Sequence, residues 1–189
     1  LSELLTPAQQ DHFRVLFNIH SLILARGQSL SMARQREICA LLGPILDRPG
    51  EDGVMSNEGG GPSASALNWH ADAAYTAHPF DALSLHALDV IEEASSTRFV
   101  SCADAFDALP PQLSEALTDR EQEMIAVHYT KLAMRTCDQR DPEALKRGTL
   151  PAIYVNPHNN RSCIWISELQ TVRLLGMDWE ESCDTLHRL

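Results

Sequence analysis

The chain has no C-x-x-C pair, and its five cysteines (Cys39, Cys102, Cys137, Cys163 and Cys183) are scattered and odd in number. That argues against a disulfide framework and against a structural zinc site, and it predicts reduced thiols in a cytoplasmic protein. No apolar run is long enough to cross a bilayer and no signal-peptide pattern opens the sequence, so no membrane partner is expected. Basic residues are scarce: 15 against 26 acidic ones, a formal charge of −11. Such a surface repels phosphate backbones, which argues against a nucleic-acid partner. A small anionic co-substrate stays compatible, because one or two local arginines reverse the field inside a cleft. Internal repeats are absent. So is H-E-x-x-H, the close-spaced ligand set that a zinc hydrolase reading would want.

What is present suits one ordinary domain spanning 1–189, with 44% hydrophobic residues to build a core. Thr6-Pro7 reads as an N-cap with proline in the first turn, followed by Phe13, Leu16, Phe17 and His20 at helical spacing. A second helix is predicted over 31–42, stopped by Gly43-Pro44. Strands are predicted at 21–25, 69–75, 82–90, 97–101, 153–156 and 163–166. Helices are predicted at 103–109, 111–117, 119–127, 168–175 and 179–189, with a charged, loop-like stretch over 134–150. Residues 47–66, rich in proline, glycine and serine and including Gly59-Gly60-Gly61-Pro62, read as a mobile loop. The chain opens on Leu1 and stops at Leu189 straight after a helical pattern, so both ends read as cuts. The sum is a mixed α and β domain.

One pentad stands out, Asn68-Trp69-His70-Ala71-Asp72. In an extended strand, residues two apart project from one face, so an imidazole and a carboxylate converge. Nitrogen and oxygen donors with open coordination positions suit a non-haem iron(II) facial triad, which needs a second histidine from elsewhere. His-x-Asp alone is common by chance and needs context.

The context resembles a known family. Trp69-His70-Ala71-Asp72-Ala73-Ala74-Tyr75 is similar to the W-H-x-D-x-x-F/Y segment of the taurine dioxygenase (TauD/TfdA) family of iron(II)- and 2-oxoglutarate-dependent dioxygenases. In the family's order, further resemblances follow at Arg26-Gly27-Gln28, Leu42-Gly43-Pro44, Leu85-His86-Ala87, Thr97-Arg98-Phe99-Val100-Ser101, the run from Asp104 to Pro110, and Ile153-Tyr154-Val155-Asn156-Pro157 with Arg161 after it. Two departures stand beside them. Ala94-Ser95-Ser96-Thr97 replaces the family's Gly-Gly-Asp-Thr, and its H-P-x-x-R stretch is not visible before Tyr154.

The resemblance implies a double-stranded β-helix, jelly-roll-like and with flanking helices, here truncated at its C-terminal end. It implies Fe(II), 2-oxoglutarate and O2, with His70 and Asp72 as catalytic iron ligands and Thr97 offering its hydroxyl to the far carboxylate of 2-oxoglutarate. Tyr75, His158 and Asn159 become candidate substrate contacts. The third iron ligand and the arginine that holds 2-oxoglutarate are expected beyond Leu189; His187 sits too early, inside a helix. Because related halogenases lack the carboxylate, Asp72 favours hydroxylation of a C–H bond in a small organic substrate, with release of succinate and CO2. The alternative is a catalytically inactive relative that binds a ligand or partner. Relatives often self-associate, so a homo-oligomer is compatible. His86 reads as core, His78 as a turn residue, and His12, His20 and His128 as helical residues without a companion ligand.

Overall fold

The computed structural model describes residues 1–46, 67–77, 79–90, 96–127, 137 and 146–189. It divides into two compact units, Leu1–Glu51 with Asp81–Ser101, and Asp52–Phe80 with Cys102–Leu189. The loop expected over 47–66, and both His78 and His128, lie outside the described residues.

In the first unit, local capping sets the helices. α1 (Pro7–His20) opens with the Thr6/Gln9 capping box and ends at Ser21, whose left-handed φ of 57° lets its N–H reach the Phe17 carbonyl. α2 (Met32–Cys39) is capped by the Ser31 hydroxyl on the Arg34 N–H and buries Ile38. Arg14 donates from Nε to the Leu41 carbonyl, and Arg34 from Nε to that of Leu1, so two guanidinium groups tie the chain ends of these helices together. The strands expected at 21–25, 82–90 and 97–101 do not form: among the described residues no ladder partner pairs with them. Their apolar side chains, Leu22, Leu24, Leu83, Leu85, Leu88, Val90, Phe99 and Val100, are exposed. A strand needs a neighbour to satisfy its backbone, and periodicity in one segment cannot supply it.

The second unit carries α3 (Cys102–Asp107), α4 (Pro111–Leu117), β1 (Glu121–Ile125), β2 (Arg147–Pro151), β3 (Ile153–Val155), β4 (Ser162–Ile164), β5 (Thr171–Leu174) and α5 (Trp179–His187). β1 is central in an antiparallel sheet of order β2-β1-β5, and β3-β4 form a separate hairpin. Two expected helices are strands here. At 119–127, Asp119 takes a φ of +56° and ends the helical path after α4, and β1 then buries Gln122 and Met124 between two partners. At 168–175, β5 buries Thr171, Val172 and Leu174 and leaves Arg173 outside. β2 likewise arises within the stretch read as a loop. Pairing with β1, which is itself paired on both sides, outweighs weak helical propensity.

Leu117, Cys137, Ala152, Leu174 and Leu186 form the core, with Leu109, Ile153, Ile166, Met177 and Cys183 packed on it. α5 is amphipathic: Asp178 caps it, Leu186 faces the core, and the Ser182 hydroxyl accepts the Leu174 N–H at the end of β5. Arg161 beside β4 binds Asp104 and Asp107 on α3, at 2.8 and 2.6 Å. None of the described helices is long and apolar enough to cross a membrane. Leu117 is fully buried at the centre of this core, so Leu117→Ala should lower the unfolding free energy by about 2–5 kcal/mol. A denaturant midpoint within error of wild type would contradict this packing.

Candidate metal centre

The segment expected as a strand at 69–75 is a turn. The Ala74 N–H bonds to the Ala71 carbonyl at 3.2 Å and the Thr76 N–H to the Ala73 carbonyl at 2.9 Å, with the Thr76 hydroxyl on the same oxygen at 2.8 Å. Ala73 adopts a φ of +57°, a left-handed conformation costly for a residue with a Cβ and held here because Ala73 and Ala74 are buried. The chain therefore spends its hydrogen bonds locally rather than on a ladder.

The turn is pinned to the second unit from one side. The Trp69 carbonyl accepts from the Ser167 hydroxyl (3.0 Å) and the Leu169 N–H (3.2 Å), and the Trp69 N–H reaches the Glu168 carboxylate at 3.3 Å. At its far end the Tyr75 backbone lies directly on β2. A Cβ built on Gly148 would overlap the Tyr75 carbonyl, so only glycine permits this approach. Gly148, Ser167 and Glu168 were not singled out from the sequence. An isolated glycine in Arg147-Gly148-Thr149 was the available signal, obscured because that stretch reads as a loop.

Between these anchors stand His70 and Asp72. His70 Nε2 and Asp72 Oδ1 are 3.5 Å apart, with the two side chains 27% and 50% exposed, so an ion from solvent can reach both. His70 Nδ1 lies 2.8 Å from the Asn68 carbonyl oxygen. A carbonyl only accepts, so Nδ1 carries the hydrogen and donates it. In the neutral ring, Nε2 then points a lone pair at a carboxylate oxygen. Two acceptors face one another across a gap that a cation would neutralise, be it a proton or a metal ion. Protonation is accordingly favoured: hydrogen bonding to Asp72 is the main cause that lifts the His70 pKa above 6.5, against burial, which lowers it, with further help from Asn68 and from the Asp72 charge.

The donor set fits a divalent ion. Two ligands at about 2.1 Å from one ion, at right angles, sit about 3 Å apart, which is close to the observed gap without rearranging the turn. The Asn68 bond is the outer-shell contact that fixes a ligating histidine's tautomer. Among the described residues, no group of three or more His, Cys, Asp or Glu side chains is placed to hold an ion.

The other candidate residues fall elsewhere. Tyr75 is half-buried at the end of the same turn. His158 and Asn159 lie in the β3-β4 turn, where the His158 N–H bonds the Asn156 side chain and the Asn159 side chain accepts from the Arg161 N–H. Thr97 belongs to the first unit and is exposed in a non-strand segment. His86, expected in the core, is half-buried.

A family model described as "Taurine catabolism dioxygenase TauD, TfdA family" matches residues 1–189. Two solved structures share the fold. One is a Burkholderia xenovorans protein assigned as an alpha-ketoglutarate dependent 2,4-D dioxygenase, with 13% identity, a TM-score of 0.63, and coverage of 99% of this chain and 70% of the other. The second is AAD-2 in complex with Mn(II) and N-oxalylglycine, with 15% identity, a TM-score of 0.65, and coverage of 100% and 72%. At these identities the likeness is one of fold. No curated protein matches the chain.

Two outcomes are expected. Gly148→Ala should destabilise by about 1–3 kcal/mol through overpacking and displace the amide resonances of 69–76; an unchanged spectrum would refute the close approach. In the metal-free protein, His70 should titrate above 6.5, and Asp72→Asn should bring it down. The raised folded pKa means that the pair's contribution to stability is full below about pH 6.5 and is lost as pH rises through the folded value. A His70 midpoint at or below 6.5, followed by NMR, would reject the facing-acceptor geometry.

Proposed function

Because the chain belongs to the taurine catabolism dioxygenase (TauD/TfdA) family, we propose that it is an iron(II)- and 2-oxoglutarate-dependent dioxygenase whose His70 and Asp72 are two of the protein ligands to the metal. The carrying observation is the pair itself, Nε2 and Oδ1 3.5 Å apart with Nδ1 tied back to the Asn68 carbonyl. Bound iron would supply oxygen activation, coupled to oxidative decarboxylation of 2-oxoglutarate. The overall balance is R–H, 2-oxoglutarate and O2 giving R–OH, succinate and CO2.

The residues of this chain do the holding. Asn68 keeps His70 in the tautomer that leaves Nε2 free of hydrogen. Asp72 brings an oxygen donor and a negative charge, which offsets part of the charge of a divalent ion. Thr97 would donate its hydroxyl to the far carboxylate of 2-oxoglutarate, and Tyr75, His158 and Asn159 would contact the substrate, a small organic molecule oxidised at a C–H bond, most simply by hydroxylation. The five strands form part of a jelly-roll core in this reading. Support comes from the related fold of AAD-2, whose structure holds Mn(II) and N-oxalylglycine, a compound with NH where 2-oxoglutarate has CH2. The second reading is a family member that binds a ligand without turning it over.

The proton and the metal compete for Nε2, so metal affinity should fall as pH drops through the raised pKa of His70. The decisive assay is succinate release with iron(II), ascorbate and 2-oxoglutarate. His70→Ala should lose more than the roughly 10–100-fold typical of an outer-shell change. Equal turnover by wild type and His70→Ala would reject the assignment; metal-dependent 2-oxoglutarate binding without succinate would favour the second reading.

A further inference from the structure

A chain of buried polar groups runs from the middle of β1 to the turn that carries the donors. Gln122, Thr171 and Ser167 are at most 5% exposed, in a unit whose other fully buried side chains are mostly apolar, while Gln170 joins through its backbone N–H and its buried side-chain Oε1 has no hydrogen-bond partner among the described residues. Each contact has a defined direction. The Gln122 amide donates from Nε2 to the carbonyls of Trp165 (2.6 Å) and Pro151 (3.3 Å), and its Oε1 accepts from the Thr171 hydroxyl at 2.7 Å. That hydroxyl accepts in turn from the Ser167 N–H at 3.0 Å. The Ser167 hydroxyl accepts from the Gln170 N–H at 3.2 Å and donates to the Trp69 carbonyl at 3.0 Å. The next residue along the backbone is His70.

Stability alone does not call for this arrangement. A buried amide costs more than an apolar side chain unless every donor and acceptor is met, and an apolar residue at 122 would serve the sheet as well. A satisfied polar network has directionality instead, and holds its members in one arrangement. Gln122, Thr171, Ser167 and the Trp69 carbonyl are linked in series. The Thr171 hydroxyl donates to Gln122 while accepting the Ser167 N–H, and the Ser167 hydroxyl donates to the Trp69 carbonyl.

We infer that Gln122, Thr171 and Ser167 are positioning residues for the metal-binding turn, setting where the His70 and Asp72 donors stand relative to the sheet. The inference rests on the reading of His70 and Asp72 as metal ligands. None of the three touches the ion; they act through the Trp69 backbone.

The test uses the full-length protein and two readouts, cobalt(II) affinity by titration and amide hydrogen exchange of the 68–75 segment without metal. Thr171→Val and Ser167→Ala should each weaken cobalt(II) binding about tenfold or more, the scale of an outer-shell loss, and speed exchange across 68–75. Thr171→Ser keeps the hydroxyl and should restore both. Leu113→Ala, which removes a buried apolar side chain from α4, is the control for general destabilisation and should lower the thermal midpoint while leaving both readouts near wild type. Wild-type behaviour of Thr171→Val in both readouts, or equal losses in Leu113→Ala, would overturn the inference. Should the wild type bind no cobalt(II), or His70→Ala bind it equally well, the metal reading falls instead, and exchange alone decides whether the relay holds the turn.

Discussion

The second unit is organised around one buried amide. Gln122 lies in the central strand, and its side chain leaves the sheet to bond two carbonyls and one hydroxyl, none of them in β1. Those partners sit at the end of β2, just after β4 and at the start of β5. A single side chain thus closes three segments around the strand that separates them. Removing it would strand several buried polar atoms at once, an arrangement far costlier than any one lost hydrogen bond. The core of Leu117, Leu174 and Leu186 provides the bulk of the burial, but hydrophobic contacts have no direction, and it is the amide that orients what lies above them.

What lies above is a pair of acceptors set face to face. A neutral imidazole ordinarily meets a carboxylate through its ring N–H. Here the Asn68 carbonyl claims the hydrogen on Nδ1, so the neutral ring offers Asp72 a lone pair. The glycine at 148 and the small residues Ala73 and Ala74 let the turn sit close to the sheet, and closeness is what makes the clamp on Trp69 effective.

The short motif was legible and the scaffold holding it was not. The pairing of His70 with Asp72 follows from two residues one position apart, and survives although the strand invoked to bring them together is a turn. Helix starts were readable for the same local reason: the Thr6 cap opens α1, α2 begins directly after Ser31, and α4 and α5 begin at Pro111 and Trp179, the expected bounds. The strands β1 and β5 were read as helices because Gln122 and Thr171, polar residues, occupy buried positions and break the two-residue alternation. The residues that defeated the pattern are the ones that build the relay. Conversely, Leu83, Leu85 and Leu88 carry a convincing strand pattern and form no strand among the described residues, since pairing is a property of two segments and a sequence window shows only one.

Placing both donors on one tight turn has a kinetic corollary. If His70 and Asp72 are ligands as proposed, the turn would act as a chelate: once either atom had captured an ion, the second would be presented at a local concentration set by a few backbone torsions, not by diffusion. Loss of such an ion would demand that both contacts open together, or that the hydrogen bonds from Ala74 to Ala71 and from Thr76 to Ala73 give way. In the proposed reading, exchange of the metal would therefore be governed by the lifetime of a backbone turn, and two individually weak ligands could still hold the ion through a slow reaction.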